Sequence, residues 1–189
     1  MANPRILDCT HNKGVMWKGL DYPITTMDID PSFNTDVVAD FRDMPFADKS
    51  YDIIVFDPPH LPTNAATEHS SNIWRDRYGI TSQTGMGRDG DNVSEMFLPF
   101  LHEAKRVLTP GGLVLAKIAD LTHNHRYQWQ HVDFINAVRE IGMTACDMVI
   151  KVDPNAGNLK SSKWKKVKHL RKNHCYWMVV RNSKRCESR

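Results

Sequence analysis

The 189-residue sequence predicts a single α/β domain on an open, mostly parallel sheet, and three observations carry that prediction. Ile53-Ile54-Val55-Phe56 and Leu113-Val114-Leu115-Ala116-Lys117-Ile118-Ala119 are short, almost continuous apolar runs, the pattern of strands buried on both faces. Segments with three- and four-residue apolar spacing, the pattern of helices, alternate with such runs. The first run stops at Asp57-Pro58-Pro59-His60, where two prolines cannot continue a ladder and the chain must leave the sheet. Pro58 also biases Asp57 towards an extended conformation. A carboxylate is thereby set on a rigid peptide at the carboxyl end of a central strand, where open α/β sheets bind their ligands.

Arg5-Ile6-Leu7-Asp8 reads as the first strand, followed by the polar loop Cys9 to Gly14 and a helix start at Val15-Met16-Trp17. Strand, Gly-bearing loop and helix start form a nucleotide-binding turn whose backbone N–H groups are expected to face a ligand. Ile24 to Asp28 is the second strand. Its terminal acid, Asp28, with Asp30 next, lies at about the distance along the chain at which a βαβ unit offers a carboxylate to a ribose, since one carboxylate accepts from two hydroxyls. The alternative is a strand end with solvated acids before Pro31. Val37 to Asp40 is the third strand and Ile53 to Phe56 the fourth.

The longest irregular stretch, Leu61 to about Val93, holds four glycines together with Trp74, Arg75, Arg77, Tyr78 and Arg88. Irregular segments of this length are binding loops, lids or disorder, and the aromatic content favours a binding lid over the Asp57 site. Ser94 to Leu108 is helical, with Ser94 as its cap and one apolar face. Thr109-Pro110-Gly111-Gly112 ends it, and Leu113 to Ala119 is the fifth strand. A polar loop follows to Gln130, then a helix from about His131 to Ile141 with Gly142 as its stop. Thr144 to Val152 and His174 to Val180 are strands six and seven. No linker or repeat divides the chain, so residues 1–189 read as one domain.

Composition excludes other classes. The hydrophobic fraction of 41% and charged fraction of 25% are those of a globular domain. No apolar run approaches a membrane span, and the N-terminus has no signal-peptide core. Cys9, Cys146, Cys175 and Cys186 are scattered, so reduced thiols and a cytoplasmic setting are expected. His123, His125 and His131 lack the spacing of a metal site, and no metal is expected. The net charge of +3 is unevenly spread: seven of the thirteen residues from Lys160 to Lys172 are Lys or Arg. Lys163, Lys165, Lys166 and Lys168 around Trp164 suit a phosphate backbone with stacked bases; the alternative is a solvated surface.

Asp57-Pro58-Pro59-His60 resembles the Asp-Pro-Pro-aromatic motif of S-adenosylmethionine-dependent amino-methyltransferases of the DNA N6-adenine/N4-cytosine type, with His60 in the aromatic position. Asp8 to Gly14 is similar to their Asp-x-Gly-x-Gly-x-Gly cofactor motif, with Thr10 and Asn12 at the first two glycine positions. The helix, Pro-Gly-Gly turn and strand, and the ending Asn173-His174-Cys175-Tyr176, are similar to the same family. The resemblance implies a Rossmann-like class I methyltransferase fold, with a seven-stranded sheet in the order 3-2-1-4-5-7-6, an antiparallel last strand and helices on both faces. It also implies S-adenosylmethionine as cofactor, held by Asp8, Thr10, Asn12, Gly14, Asp28 or Asp30, with Asp40 or the Phe41 backbone near the adenine. The implied reaction is methylation of a nucleobase amine, N6 of adenine in DNA before RNA or N4 of cytosine, with Asp57 and Pro58 accepting the amine protons and His60 stacking. A small-molecule methyltransferase and a non-catalytic nucleic-acid-binding module on the same scaffold are the alternatives.

Overall fold

The computed structural model describes residues 3–58, 93–123, 126–153 and 172–183. Nine strands are present among them: β1 Ile6–Asp8, β2 Thr25–Asp28, β3 Val37–Val38, β4 Tyr51–Phe56, β5 Leu108–Ile118, β6 Leu121–His123, β7 Arg126–Gln128, β8 Thr144–Val152 and β9 His174–Arg181. Two α-helices, α1 Phe97–Val107 and α2 Gln130–Glu140, join the second half of the sheet. Seven strands form one sheet in the order β3-β2-β1-β4-β5-β9-β8, and β6 and β7 form a separate hairpin. With the hairpin set aside this is the expected order 3-2-1-4-5-7-6. Strands β1 to β5 pair in parallel, while β9 runs antiparallel to both β5 and β8. The amino end of β9 therefore lies on the same sheet edge as the carboxyl ends of β1, β2, β4 and β5.

The buried face of β5 explains where the helices sit. Val114, Ala116 and Ile118 have no exposed surface, whereas Leu113, Leu115 and Lys117 on the other face keep some. Apolar residues of α1 (Phe97, Phe100, Leu101, Ala104, Val107) cover the first set, and Phe134 of α2 meets Phe97 edge to face at 5.2 Å. The two helices thus share one side of the sheet. Phe56 at the end of β4 stacks on Phe100 with ring centroids 3.6 Å apart, which fixes α1 beneath the strand that ends in Asp57. After β1 and β2 the chain makes only single 3-10 turns, Val15–Trp17 and Pro31–Phe33.

Four local readings change. Ser94 lies in a 3-10 turn, Val93–Met96, and its hydroxyl donates to Asp133 of α2 at 2.7 Å; α1 begins after Met96 with no side-chain cap. Pro110-Gly111-Gly112 is not a turn between helix and strand but an irregularity inside β5, where Leu108 faces Tyr51 and Leu113 faces Ile53. Gly111 has φ +81°, which strains any other residue, and a Cβ on Gly112 would crowd the Asp52 carbonyl oxygen at 3.0 Å. Asn182 closes the α1 carboxyl end, its Nδ2 donating to the carbonyls of Lys105, Leu108 and Thr109. The polar stretch after β5 is the β6–β7 hairpin rather than a loop. Cys146 is disulfide-bonded, which corrects the expectation of reduced thiols at that position; Cys9 and Cys175 are free. No helix among the described residues is long and apolar enough to cross a membrane.

At the amino end of β4, Asp52 ties three strands together. It accepts from the Arg5 backbone N–H at 2.9 Å and Arg5 Nε at 3.1 Å, and from Thr109 Oγ1 at 3.1 Å. The Arg5 side chain, then its backbone N–H, holds the Asp52 carboxyl down to about 2. A carboxyl depressed in the folded state adds stability above its unfolded value of about 3.9, and that stability is lost as pH falls towards the folded value. Asp52→Asn is accordingly expected to lower the melting temperature at neutral pH, with the gap to wild type closing between about pH 4 and pH 2. Thermal melts across that range check it.

Candidate active site

The loop after β1 is shaped from within. Asp8 is 1% exposed, and its carboxylate accepts from the Thr10 N–H at 3.2 Å, His11 Nδ1 at 2.9 Å and Trp17 Nε1 at 2.6 Å. The hydrogen bond to Asp8 raises the His11 imidazole above its ordinary value. Asn12 adopts φ +51° and Gly14 φ +63°, the left-handed conformations that Asn tolerates and Gly accepts freely. A Cβ on Gly14 would come within 2.8 Å of His11 Nε2, on a ring already pinned by Asp8.

The backbone donors of this loop close on the protein itself. The N–H groups of His11 and Gly14 donate to the carbonyls of Met27 and His11, Asn12 N–H to Asp28 Oδ2 at 2.8 Å, and Lys13 N–H to Asn12 Oδ1. The expectation of N–H groups turned to a ligand is corrected for these residues: His11 and Gly14 donate to backbone carbonyls, and Asn12 and Lys13 to side-chain oxygens. Asp28 is the junction, accepting also from the Asp30 N–H at 3.0 Å. Burial, the largest effect, pushes its carboxyl up despite the backbone donors of Asp30, Asn12 and Ile29. Asp30 is 8% exposed and accepts from the Ser32 N–H, capping the turn after β2. Of the two acids, Asp28 is the one that meets the β1 loop.

Asp40 is bound to Arg42, with Arg42 Nε at 3.0 Å from both carboxylate oxygens. The Phe41 ring is 5% exposed and packs edge to face on Phe56 and Phe100, so only its backbone is available to a ligand.

Asp57 follows directly on β4. Its backbone N–H donates to Thr10 Oγ1 at 2.7 Å, which gives Thr10 a physical role in a position where glycine was expected: a hydroxyl there joins the β1 loop to the end of β4. The carboxylate Oδ2 stands 2.7 Å from Lys117 Nζ, with the two side chains 22% and 28% exposed. Pro58 is buried. Pro59 and His60 lie outside the described residues, as do Trp74, Arg75, Arg77, Lys163, Trp164, Lys165, Lys166 and Lys168.

Sequence reading passed over two groups at this edge. Lys117 is one; its signal was a single charge in an otherwise apolar strand. The other surrounds Asp120, 4% exposed, which accepts from Tyr127 Oη at 2.8 Å and from His131 Nδ1 at 2.7 Å. His131 stacks on Tyr176 with centroids 4.3 Å apart, and His174 Nε2 lies 3.0 Å from Tyr176 Oη. Burial first, then Asp120, pushes both the Tyr127 and Tyr176 phenols up. Lys172 Nζ sits 4.1 Å from the centre of the Tyr127 ring. These residues form an aromatic wall beside the ends of β5 and β9. Among the described residues no three His, Cys, Asp or Glu side chains converge as a metal site.

No family model matches the chain, and no curated protein matches it in sequence. Among solved structures it is similar to a SAM-dependent methyltransferase of Methanosarcina mazei, at 11% identity over 97% of this chain and 94% of that one, with a TM-score of 0.58. It is similar to a SAM-dependent methyltransferase of Leishmania major at 13% identity, covering 95% of this chain and 65% of that one, with a TM-score of 0.52. With TrmN of Thermus thermophilus it shares 14% identity over 94% of this chain but 43% of that longer one, with a TM-score of 0.54. It also spans 56% of another Thermus thermophilus chain, on which it superposes at a TM-score of only 0.45. Thr10→Val, which leaves the half-buried Asp57 N–H without its acceptor, is expected to cost about 1–3 kcal/mol in denaturant unfolding, and Thr10→Ser to cost far less. Strand order, the antiparallel β9 and the superpositions with TM-scores above 0.5 together establish that the chain has the Rossmann-like class I methyltransferase fold.

Proposed function

We propose that the chain is an S-adenosylmethionine-dependent methyltransferase that acts on an exocyclic amine of a nucleobase, with N6 of adenine in DNA as its target. The observation that carries this reading is Asp57: a partly exposed carboxylate one residue past a central strand, hydrogen-bonded through its N–H to the loop that follows β1. The cofactor, when bound, supplies a methyl group on a sulfonium. The described residues suit it at one point above all. The backbone N–H groups of Asn12, Asp30 and Ile29 donate to the Asp28 carboxylate, and of its roughly four acceptor sites one remains for a ribose hydroxyl. Asp8, Thr10, Asn12 and Gly14 would border the same space, with Asp30 and Asp40 beside it.

An exocyclic base amine is a poor nucleophile because its lone pair is delocalised into the ring. Asp57 and the Pro58 carbonyl would each accept one of its protons and favour the pyramidal nitrogen that attacks. That interaction strengthens towards the transition state, which is what raises turnover. His60 would stack on the flipped base. The basic segment supports nucleic acid as the substrate by where its described ends lie: Asp153 N–H donates to the Asn173 carbonyl at 2.6 Å, beside the His174 end of β9 and on the Asp57 edge of the sheet. From there Lys163, Trp164, Lys165, Lys166 and Lys168 would reach phosphates and bases, as would Trp74, Arg75 and Arg77 of the segment after Asp57. A second reading, a nucleic-acid-binding module without catalysis, is favoured by the closure of the β1-loop donors on the protein.

Two variants separate these readings. Asp57→Ala is expected to bind S-adenosylmethionine like wild type but to lose two or more orders of magnitude in turnover, about the loss of a transition-state hydrogen-bond partner; turnover within a few-fold of wild type would remove Asp57 from the chemistry. Asp28→Ala is expected to weaken cofactor binding by about 1.5–3 kcal/mol in calorimetric titration. An unchanged dissociation constant would move the ribose contact elsewhere, and no binding by wild type would leave the non-catalytic reading.

A further inference from the structure

We propose that Lys117 is a positioning residue for Asp57, holding its carboxylate ionised and turned towards β5 so that it can act only as an acceptor; the inference rests on the proposed amine methylation. The register of the sheet creates the pair. Phe56 of β4 faces Ala116 of β5, so the next residues, Asp57 and Lys117, fall side by side as the strands end. Lys117 Nζ reaches Asp57 Oδ2 at 2.7 Å. Lys117 is the one charge between Leu113 and Ile118, and its neighbours Ala116 and Ile118 are fully buried on the opposite face. A charged side chain in such a strand needs a partner, and the partner it has is the carboxylate at the centre of the site.

The surroundings set the direction of the effect. On β9, the Cys175 thiol is pushed up first by burial, then drawn down by Lys117 and by Lys151 of β8, with Asp57 opposing them. The β1 loop contributes the uncharged Thr10 hydroxyl, with the Asp8 carboxylate turned to His11 and Trp17. Among the described residues Lys117 is the cation in contact with Asp57, and Lys151 of β8 acts with it on the neighbouring Cys175 thiol. An ionised carboxylate accepts hydrogen bonds and donates none; once protonated it offers an O–H to the amine and loses an acceptor site. Removing the contacting cation raises a carboxyl, and a cation at this range lowers one by about 1–3 pH units.

The test follows the Asp57 carboxyl carbon by ¹³C NMR titration of the full-length protein, assigned by its loss in Asp57→Asn, alongside the pH dependence of methyl transfer to DNA. Wild type, Lys117→Met, Lys117→Gln and Lys117→Arg are compared, the second neutral variant serving if the first fails to fold. The proposal expects the Asp57 midpoint to rise by about 1–3 pH units in the neutral variants, the acidic limb of the rate profile to move by the same amount, and Lys117→Arg to restore both. An Asp57 midpoint that is the same in all four proteins overturns it, as does a shifted midpoint with an unmoved rate profile. Absence of methyl transfer by wild type to any nucleic acid overturns the proposed function instead, and the two failures are distinguishable because the NMR titration needs no turnover.

Discussion

Both ends of β4 are tied by an aspartate to the same two neighbours, and the rest of the site depends on that arrangement. Asp52 at the start bonds to Arg5 before β1 and to Thr109 at the start of β5. Asp57 at the end bonds through its N–H to Thr10 after β1 and through its carboxylate to Lys117 of β5. The first joint is far from the site and lends stability. The second places a carboxylate, rather than a bare strand end, at the edge where this fold binds its ligands. Between them, Phe56 stacked on Phe100 keeps α1 pressed under the strand, so Asp57 leaves from a rigid support.

Around that carboxylate the sheet edge divides in two. On the β1–β2 side, Asp8 takes the Thr10 N–H and Asp28 the Asn12 N–H, so that side chains hold part of a loop whose family resemblance implied glycine. On the β5–β9 side, buried Asp120 gathers Tyr127 and His131, and through them aligns Tyr176 and His174. Asp57 stands at the boundary between these two groups, bonded to Thr10 on one side and to Lys117 on the other.

Much of this was legible in the sequence because it depends on local rules. The apolar runs gave the strands, the Asp-Pro-Pro break gave the strand end, and Gly142 with φ +72° stops α2 as expected of a glycine after a helix. What could not be read depends on partners distant in sequence. Pro110-Gly111-Gly112 looked like a turn because its strand pairing is set by Tyr51 and Ile53, some 60 residues earlier. Ser94 looked like a cap because Asp133 lies in another helix. Thr10 stands at a glycine position of the motif because its hydroxyl accepts from the Asp57 N–H, 47 residues on, and Lys117 passed for a strand residue because its carboxylate is 60 residues away. Phe41, placed near a cofactor by resemblance, turns its ring into the aromatic cluster under β4, which leaves its backbone alone for that role.

The central claim is that the Asp57 edge transfers a methyl group to a nucleobase amine. Its most direct measurement is incubation of the protein with methyl-labelled S-adenosylmethionine and matched DNA and RNA, followed by digestion to nucleosides and separation of the labelled product. Label in N6-methyladenosine of DNA, as the deoxynucleoside, is the predicted result. Label confined to a ring nitrogen, a ring carbon or a sugar, or no label in any nucleoside from DNA or RNA, would contradict it.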